Sequence, residues 1–486
     1  MMDQPNPIAF PDDPSQPNSL RRTIVAYTSM VVGAVVLFWL IDSAGSYLTA
    51  PATTIAPVSS AIEPSSGKPN ALVHVLVALI AVLVVGRSLA MLFRLVGQPP
   101  VIGEVVGGII LGPSVLGQIW PEAATVVLPP SVAPYLGVIS QLGVILYMFL
   151  VGLELNPGLL RGKAQATVTI AHASIAVPFL LGSVLALVLY PRLSSADVPF
   201  TSFALFMGIA TSVTAFPVLA RILSDRRMQR TSLGVLALGC AAMGDATAWC
   251  LLAFVVGIAQ ARVDGAFLVL GLTAAYIAVM ILIVRPVATR ILGRFDEDRL
   301  TPGVVGGVFA ALLLSALTTE LIGIHAIFGA FLLGAIIPHD GAVARAFTRK
   351  LEDLVTVLLL PAFFAFTGMR TQIGLVSGSS QWLLCALILL VATAGKFGGT
   401  LAAARFTGLG WRKSAGLGVL MNTRGLMELI VLNVGLDLKI ISPALFAMLV
   451  LMALITTIAT TPILRLLTPQ PTDAVYADWV MPLTAK

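Results

Sequence analysis

Charge is scarce in this chain. Of its 486 residues only 11 % are Asp, Glu, Lys or Arg, against about 25 % in a soluble globular domain. That shortfall excludes an ordinary water-soluble enzyme. Cysteine is scarcer still: Cys240, Cys250 and Cys385 are the full complement, each inside an apolar stretch. Three such positions make neither a disulfide framework nor a zinc-binding set, and they read as buried small hydrophobes. His74, His172 and His325 lack companions of ligand type, so no metal is expected beyond a transported monovalent cation. No cofactor is expected. The net charge of +6 is spread between apolar runs rather than gathered in one patch, which argues against a nucleic-acid partner.

What the chain has instead is apolar residue, 58 % of the total, with a mean hydropathy of +0.97. Apolar runs recur from Ile24 to Leu467, most of them long enough to cross a hydrocarbon core of about 30 Å. The chain reads as an all-α polytopic membrane protein whose surroundings are membrane lipid. Residues 1–22 are Pro, Asp, Asn and Ser-rich and read as a disordered cytoplasmic tail. An extra N-terminal helix is expected over 23–42. Arg21 and Arg22 before this run, and Ser43-Ala44-Gly45 after it, also resemble a signal peptide. The run is long for one, and an uncleaved helix is favoured. Residues 43–70 form a Pro/Ser/Thr-rich extracytoplasmic linker. The membrane domain spans 71–468, and 469–486 is a short cytoplasmic tail.

Thirteen apolar segments fall within the membrane domain: 71–96, 100–117, 133–153, 165–190, 200–223, 231–260, 265–284, 301–320, 323–338, 352–371, 382–404, 413–437 and 442–467. If the N-terminus is cytoplasmic and every segment crosses, 21 Lys and Arg lie on the cytoplasmic side, 5 on the other and 3 within segments. That bias supports a topology with both termini in the cytoplasm.

Charges inside a bilayer cost at least about 2.5–3.5 kcal/mol each on insertion scales. Asp245 is the deepest acid, set among small residues mid-way along the sixth segment. Lys396 is the deepest base, too central to snorkel. In the fifth segment Pro217 follows Ala210-Thr211-Ser212-Val213-Thr214-Ala215-Phe216, so a helix break is expected near Val213–Ala215. In the twelfth, Met421-Asn422-Thr423-Arg424-Gly425-Leu426-Met427-Glu428 interrupts the apolar run. Broken backbone at membrane depth is tolerable only inside protein or beside water. The two breaks lie seven segments apart and so run in opposite directions. Aligning segments 2–6 with 9–13 makes each break fourth in its set, the layout of inverted five-helix repeats around a central ion site. Arg424 and Glu428, four apart, share a helix face and read as a structural ion pair. Glu104 and Glu154, near segment ends, read as interfacial.

Gly103-Glu104-Val105-Val106-Gly107-Gly108-Ile109-Ile110-Leu111-Gly112-Pro113-Ser114 resembles the second-helix signature of the monovalent cation:proton antiporter-2 family. Gly152-Leu153-Glu154-Leu155, His325-Ala326-Ile327-Phe328-Gly329-Ala330-Phe331, Phe363-Phe364-Ala365-Phe366-Thr367-Gly368-Met369-Arg370 and Asn422–Glu428 are similar to that family too. The resemblance implies a sodium/hydrogen exchanger fold, a homodimer of 13-helix protomers, and an elevator-type exchange of protons for Na+ or K+ across the plasma membrane, with no enzymatic activity. It places the ion-binding aspartate at Asp245. The preceding family position, acidic or amide, is Gly244 here. Lys396 would normally pair with that first acid, and is left either to pair with Asp245 or to deprotonate when the site is empty. Ser212, Thr214 and freed carbonyls would complete an oxygen shell, with Lys396, Asn422, Thr423, Arg424 and Glu428 as supporting charges and crossover. About 18 residues follow the last segment, so no Kef-type nucleotide-binding domain is expected.

Two rivals deserve a test. Gly244-Asp245 resembles part of the Gly-x-Gly-Asp of intramembrane aspartyl proteases, but residue 242 is Ala and no second deep aspartate completes a dyad. The Gly244 departure also fits a degenerate antiporter acting as a sensor, or an exporter of a cation-bound organic metabolite.

Overall fold

The structure is a computed structural model describing residues 17–51, 71–154, 164–229, 231–260, 266–292, 301–338 and 341–467. Most of the expected N-terminal tail, linker and C-terminal tail lies outside these residues. So do several loop cations counted for topology, among them Arg161, Lys163, Arg294 and Arg299.

Helix α1 covers Pro17–Gly45, starting earlier than the apolar run because Pro17 can open a helix at no hydrogen-bond cost. Then come α2 (Ala71–Leu95), α3 (Pro100–Leu111), α4 (Ala133–Glu154), α5 (Ala164–Leu193), α6 (Phe200–Ser212), α7 (Phe216–Asp225) and α8 (Ser232–Gln260). Helix α9 (Ala266–Val279) continues through a π-turn at Met280–Val284 to Leu292. The rest are α10 (Pro302–Ile322), α11 (Ala326–Ile336), α12 (Ala342–Leu354), α13 (Leu360–Arg370), α14 (Gly378–Phe406), α15 (Trp411–Met421), α16 (Leu426–Asp437) and α17 (Pro443–Leu467). Among the described residues, twelve stretches are long and apolar enough to span a membrane, and the α15–α16 pair, bent by 45°, makes a thirteenth. The short apolar α11 completes the extra helix plus thirteen segments read from the sequence. The tenth segment begins earlier than its apolar run, because the amphipathic α12 leads through a π-turn at Val355–Leu359 into α13.

The helices pack as two groups. One holds α1, α5, α6, α7, α8, α14, α15, α16 and α17; the other holds α2, α3, α4 and α10 to α13, with α9 beside α10. Helix α1 lies against α5 and α6 of the first group. Its Asp42 accepts a hydrogen bond from Thr201 Oγ1 at 2.6 Å, and Tyr27 meets the His172 ring edge-on at 5.3 Å. In the second group the glycine-rich motif on α3 lets α13 approach backbone to backbone. A Cβ on Gly368 would fall on the Gly108 backbone, and one on Gly112 would lie 2.7 Å from the Gly368 carbonyl oxygen. Gly368→Ala should therefore destabilise the protein by about 1–3 kcal/mol, the scale of an overpacked core. Gly398→Ala is the control, since its Cβ meets nothing within 4 Å. Thermal unfolding in detergent should separate the two; equal midpoints would contradict the close approach.

Cys240 and Cys385 are buried, but Cys250 lies on an exposed face of α8. The sequence expectation is corrected there: an apolar segment does not reveal which helix face a small residue occupies.

Candidate functional site

Both expected breaks are present. Val213, Thr214 and Ala215 are non-helical between α6 and α7, and Asn422 to Gly425 separate α15 from α16. Pro217 enters as one of the first residues of α7, where its missing N–H does no harm. The breaks touch: Ala215 N donates to Thr423 O at 2.9 Å, and Thr214 Oγ1 donates to Met421 O at 2.9 Å.

A helix C-terminus leaves four carbonyls without helical partners and carries the negative end of the helix dipole. At the end of α6 all four find donors. Ile209 O accepts from Val213 N at 3.3 Å and from Ser212 Oγ at 3.0 Å. Ala210 O and Thr211 O accept from Arg424 Nη1 and Nη2 at 2.9 and 2.5 Å. Ser212 O accepts from Lys396 Nζ. Two buried cations thus cap one half-helix. The end of α15 is served by neutral donors instead, Thr214 Oγ1 among them.

Lys396 has a second partner, Ser174 O, at 2.9 Å. Pro178, four residues on inside α5, lacks the N–H that would have bonded this carbonyl. A proline and a helix break therefore each orphan one carbonyl, and a single ammonium on α14 takes both. Of the two options the sequence left to Lys396, direct pairing with Asp245 is not made: both Asp245 oxygens are buried without a hydrogen-bond partner.

Arg424 is fully buried and sits 3.0 Å from Glu428 Oε2. The pair does not span one helix turn, since Arg424 belongs to the break and Glu428 to the first turn of α16. Thr457 on α17, which the sequence did not mark, accepts from Arg424 N at 2.8 Å and donates to Arg424 O at 2.6 Å. Thr423 Oγ1 is bonded back to Leu420 O at 2.8 Å, while Asn422 Oδ1 has no partner. Ser212 donates along its own helix, so only its oxygen lone pairs remain for a ligand. Glu104 lies 3.7 Å from Arg87 Nη1, away from the breaks, and Glu154 closes α4. Among the described residues no group of three or more His, Cys, Asp or Glu could hold a metal ion.

Asp245 stands apart in this constellation. Buried polar groups are nearly always hydrogen-bonded, and an unpaired buried charge is strongly unfavourable. A carboxylate with no donor aimed at it can be relieved by a proton or a small cation.

The sequence model for the family described as sodium/hydrogen exchanger, transmembrane, matches residues 75–467. A protein named Na(+)/H(+) antiporter NhaS4 from Synechocystis is 43 % identical over 405 residues, covering 83 % of this chain and 99 % of its own. Cation/H(+) antiporter 20 of Arabidopsis thaliana is 40 % identical over 78 % of this chain, and K(+)/H(+) antiporter 1 of Saccharomyces cerevisiae 33 % over 86 %. The chain spans about half the length of these last two, 47 % and 49 %. Among solved structures, the sodium proton antiporter MjNhaP1 from Methanocaldococcus jannaschii superposes with a TM-score of 0.60 at 17 % identity, covering 81 % of this chain and 96 % of that one. At that identity the likeness speaks for the fold.

Proposed function

Because this chain belongs to the sodium/hydrogen exchanger family, we propose that it exchanges protons for a monovalent cation, Na+ or K+, by competition at Asp245. The observation that carries this is the bare, buried carboxylate on α8, the helix packed against α6, α7 and α15, which flank two touching helix breaks. Proton and cation cannot both occupy it, so each departs when the other binds. Ser212 and Thr214 oxygens, with the second lone pairs of carbonyls at the break, suit a hard cation. Lys396 offsets the carboxylate when neither ligand is present, so the two groups titrate as a pair.

Transport follows when the group holding Asp245 slides against the group of α2–α4 and α10–α13, an elevator motion. The same family reading gives a homodimer in the plasma membrane, and the Lys and Arg bias supports both termini in the cytoplasm. If a net charge crosses per cycle, the membrane potential contributes about 2.3 kcal/mol per 100 mV.

The test is dissipation of a pH gradient in everted vesicles on adding Na+ or K+. A response to one salt and not to choline chloride would support antiport and name the ion; no response to either would overturn it. Gly244 favours a second reading. A Cβ there would meet nothing nearer than Ile175 Cδ1 at 3.9 Å, room that suits a sensor or an exporter of a cation-bound organic metabolite. A silent vesicle assay would move the weight to that reading.

A further inference from the structure

Among the described residues, two hydrogen-bonded side-chain ties between the helix groups stand out. Beyond α2, Gln98 Nε2 donates to Ile458 O of α17 at 3.1 Å, a neutral bond. The other, between α13 and α16, is larger and charged. Arg370 Nη1 donates to Asn433 Oδ1 at 3.0 Å, and Nη2 lies 2.5 Å from Asp437 Oδ1. Asn433 Nδ2 donates back to Thr367 Oγ1 at 2.8 Å. The Phe366 ring lies 5.2 Å from the Arg370 guanidinium carbon.

The spacing makes this a matched pair of faces. Thr367 and Arg370 are three apart on α13; Asn433 and Asp437 are four apart on α16. The tie has a dry end and a wet end: Thr367 and Asn433 are buried, whereas the Asp437 side chain is 41 % exposed. Water can therefore compete for the ionic half while the amide–hydroxyl bond fixes the register. The half-helix held in this way is the one that starts at the second break. Helix α16 has twelve residues, about 18 Å at 1.5 Å per residue, and carries Glu428 in its first turn. Anything that holds its far end relative to α13 holds the Arg424–Glu428 junction too.

We propose that Arg370 is a positioning residue for transport: with Thr367 it clamps α16 to α13 in one end state, and the clamp opens once in every cycle. This rests on the antiport reading above. The clamp gives the moving group a defined stop, and its half-exposed ion pair can be exchanged for water without an unpaired charge being left in the dry interior.

The experiment starts from a full-length chain with Cys240, Cys250 and Cys385 replaced and cysteines placed at 370 and 437. Bridging them with a short reducible bifunctional thiol reagent should lower cation-driven proton movement more than tenfold, and reductant should restore it. Bridged protein that moves protons at the unbridged rate would overturn the clamp. A second readout needs no transport. With Thr367→Cys as the only cysteine, thiol labelling should accelerate at least tenfold when Arg370→Ala is added, and Arg370→Lys should reverse part of that gain. Unchanged labelling would overturn the clamp as well. If the cysteine-free chain that keeps Arg370 and Asp437 shows no cation-driven proton movement, the antiport reading fails, and the labelling rate decides the clamp alone.

Discussion

Asp245→Asn is expected to reduce cation-dependent proton movement in everted vesicles to the background of empty membranes, and to leave the protein at least as stable as wild type. The two effects have different causes. Activity goes because a neutral amide can neither bind a proton at physiological pH nor balance a cation. Stability holds because the carboxylate makes no hydrogen bond that the amide would lose. A buried carboxylate with no donor aimed at it carries its full desolvation cost, and a neutral amide in its place carries less. Retained transport would contradict the assignment. So would a large fall in the unfolding midpoint, which would mean that Asp245 holds helices together. The pH dependence has a fixed sign. Protons compete for the same oxygens, so half-saturating cation concentration should rise as pH falls, and saturating cation should restore the rate.

Arg424→Ala is expected to have the largest structural effect in the molecule. It strips Ala210 and Thr211 of their donors and leaves Glu428 buried without its cation. Breaking one side of a buried pair costs about 3–5 kcal/mol, and each buried carbonyl left without a donor adds about 1–3 kcal/mol. The variant should fail to elute as a single species in mild detergent. Arg424→Leu combined with Glu428→Leu separates two roles. If the ion pair were the whole contribution, the double change would recover wild-type stability, because apolar replacement of a buried pair is often neutral. The capping geometry predicts only partial recovery, since the α6 carbonyls stay orphaned. Full recovery would show that the guanidinium matters to Glu428 alone.

The span positions and both breaks were legible in the sequence, because each has a local cause: sustained hydropathy, Pro217, and the polar run from Asn422 to Gly425. The charged residues of the site were legible for the same reason, since a charge at membrane depth stands out. Apart from the Arg424–Glu428 pair, their partners were not. Lys396 and Arg424 bond backbone carbonyls, which leave no mark in composition, and pairing by side-chain charge pointed to Asp245 instead. Pro178 was a usable signal for one of them, because a mid-helix proline frees the carbonyl four residues back, here Ser174. Thr457 carried no signal, being one of many hydroxyls on apolar helices. Arg370 was legible only as the end of a stretch similar to the family, with no partner marked. That it faces Asn433 and Asp437 depends on how α13 and α16 pack, which no local pattern encodes. Cys250 missed for a related reason: periodicity is silent in a helix that is apolar all round.

The most direct measurement is proton release on cation binding by the purified protein. Titrating Na+ or K+ calorimetrically in two buffers of different ionisation enthalpy gives the protons released per cation bound. Competition at Asp245 predicts release that grows as pH is lowered toward the range where the empty site holds its proton, and no cation binding by Asp245→Asn. Cation binding that releases no proton at any pH, or that survives Asp245→Asn unchanged, would contradict the account.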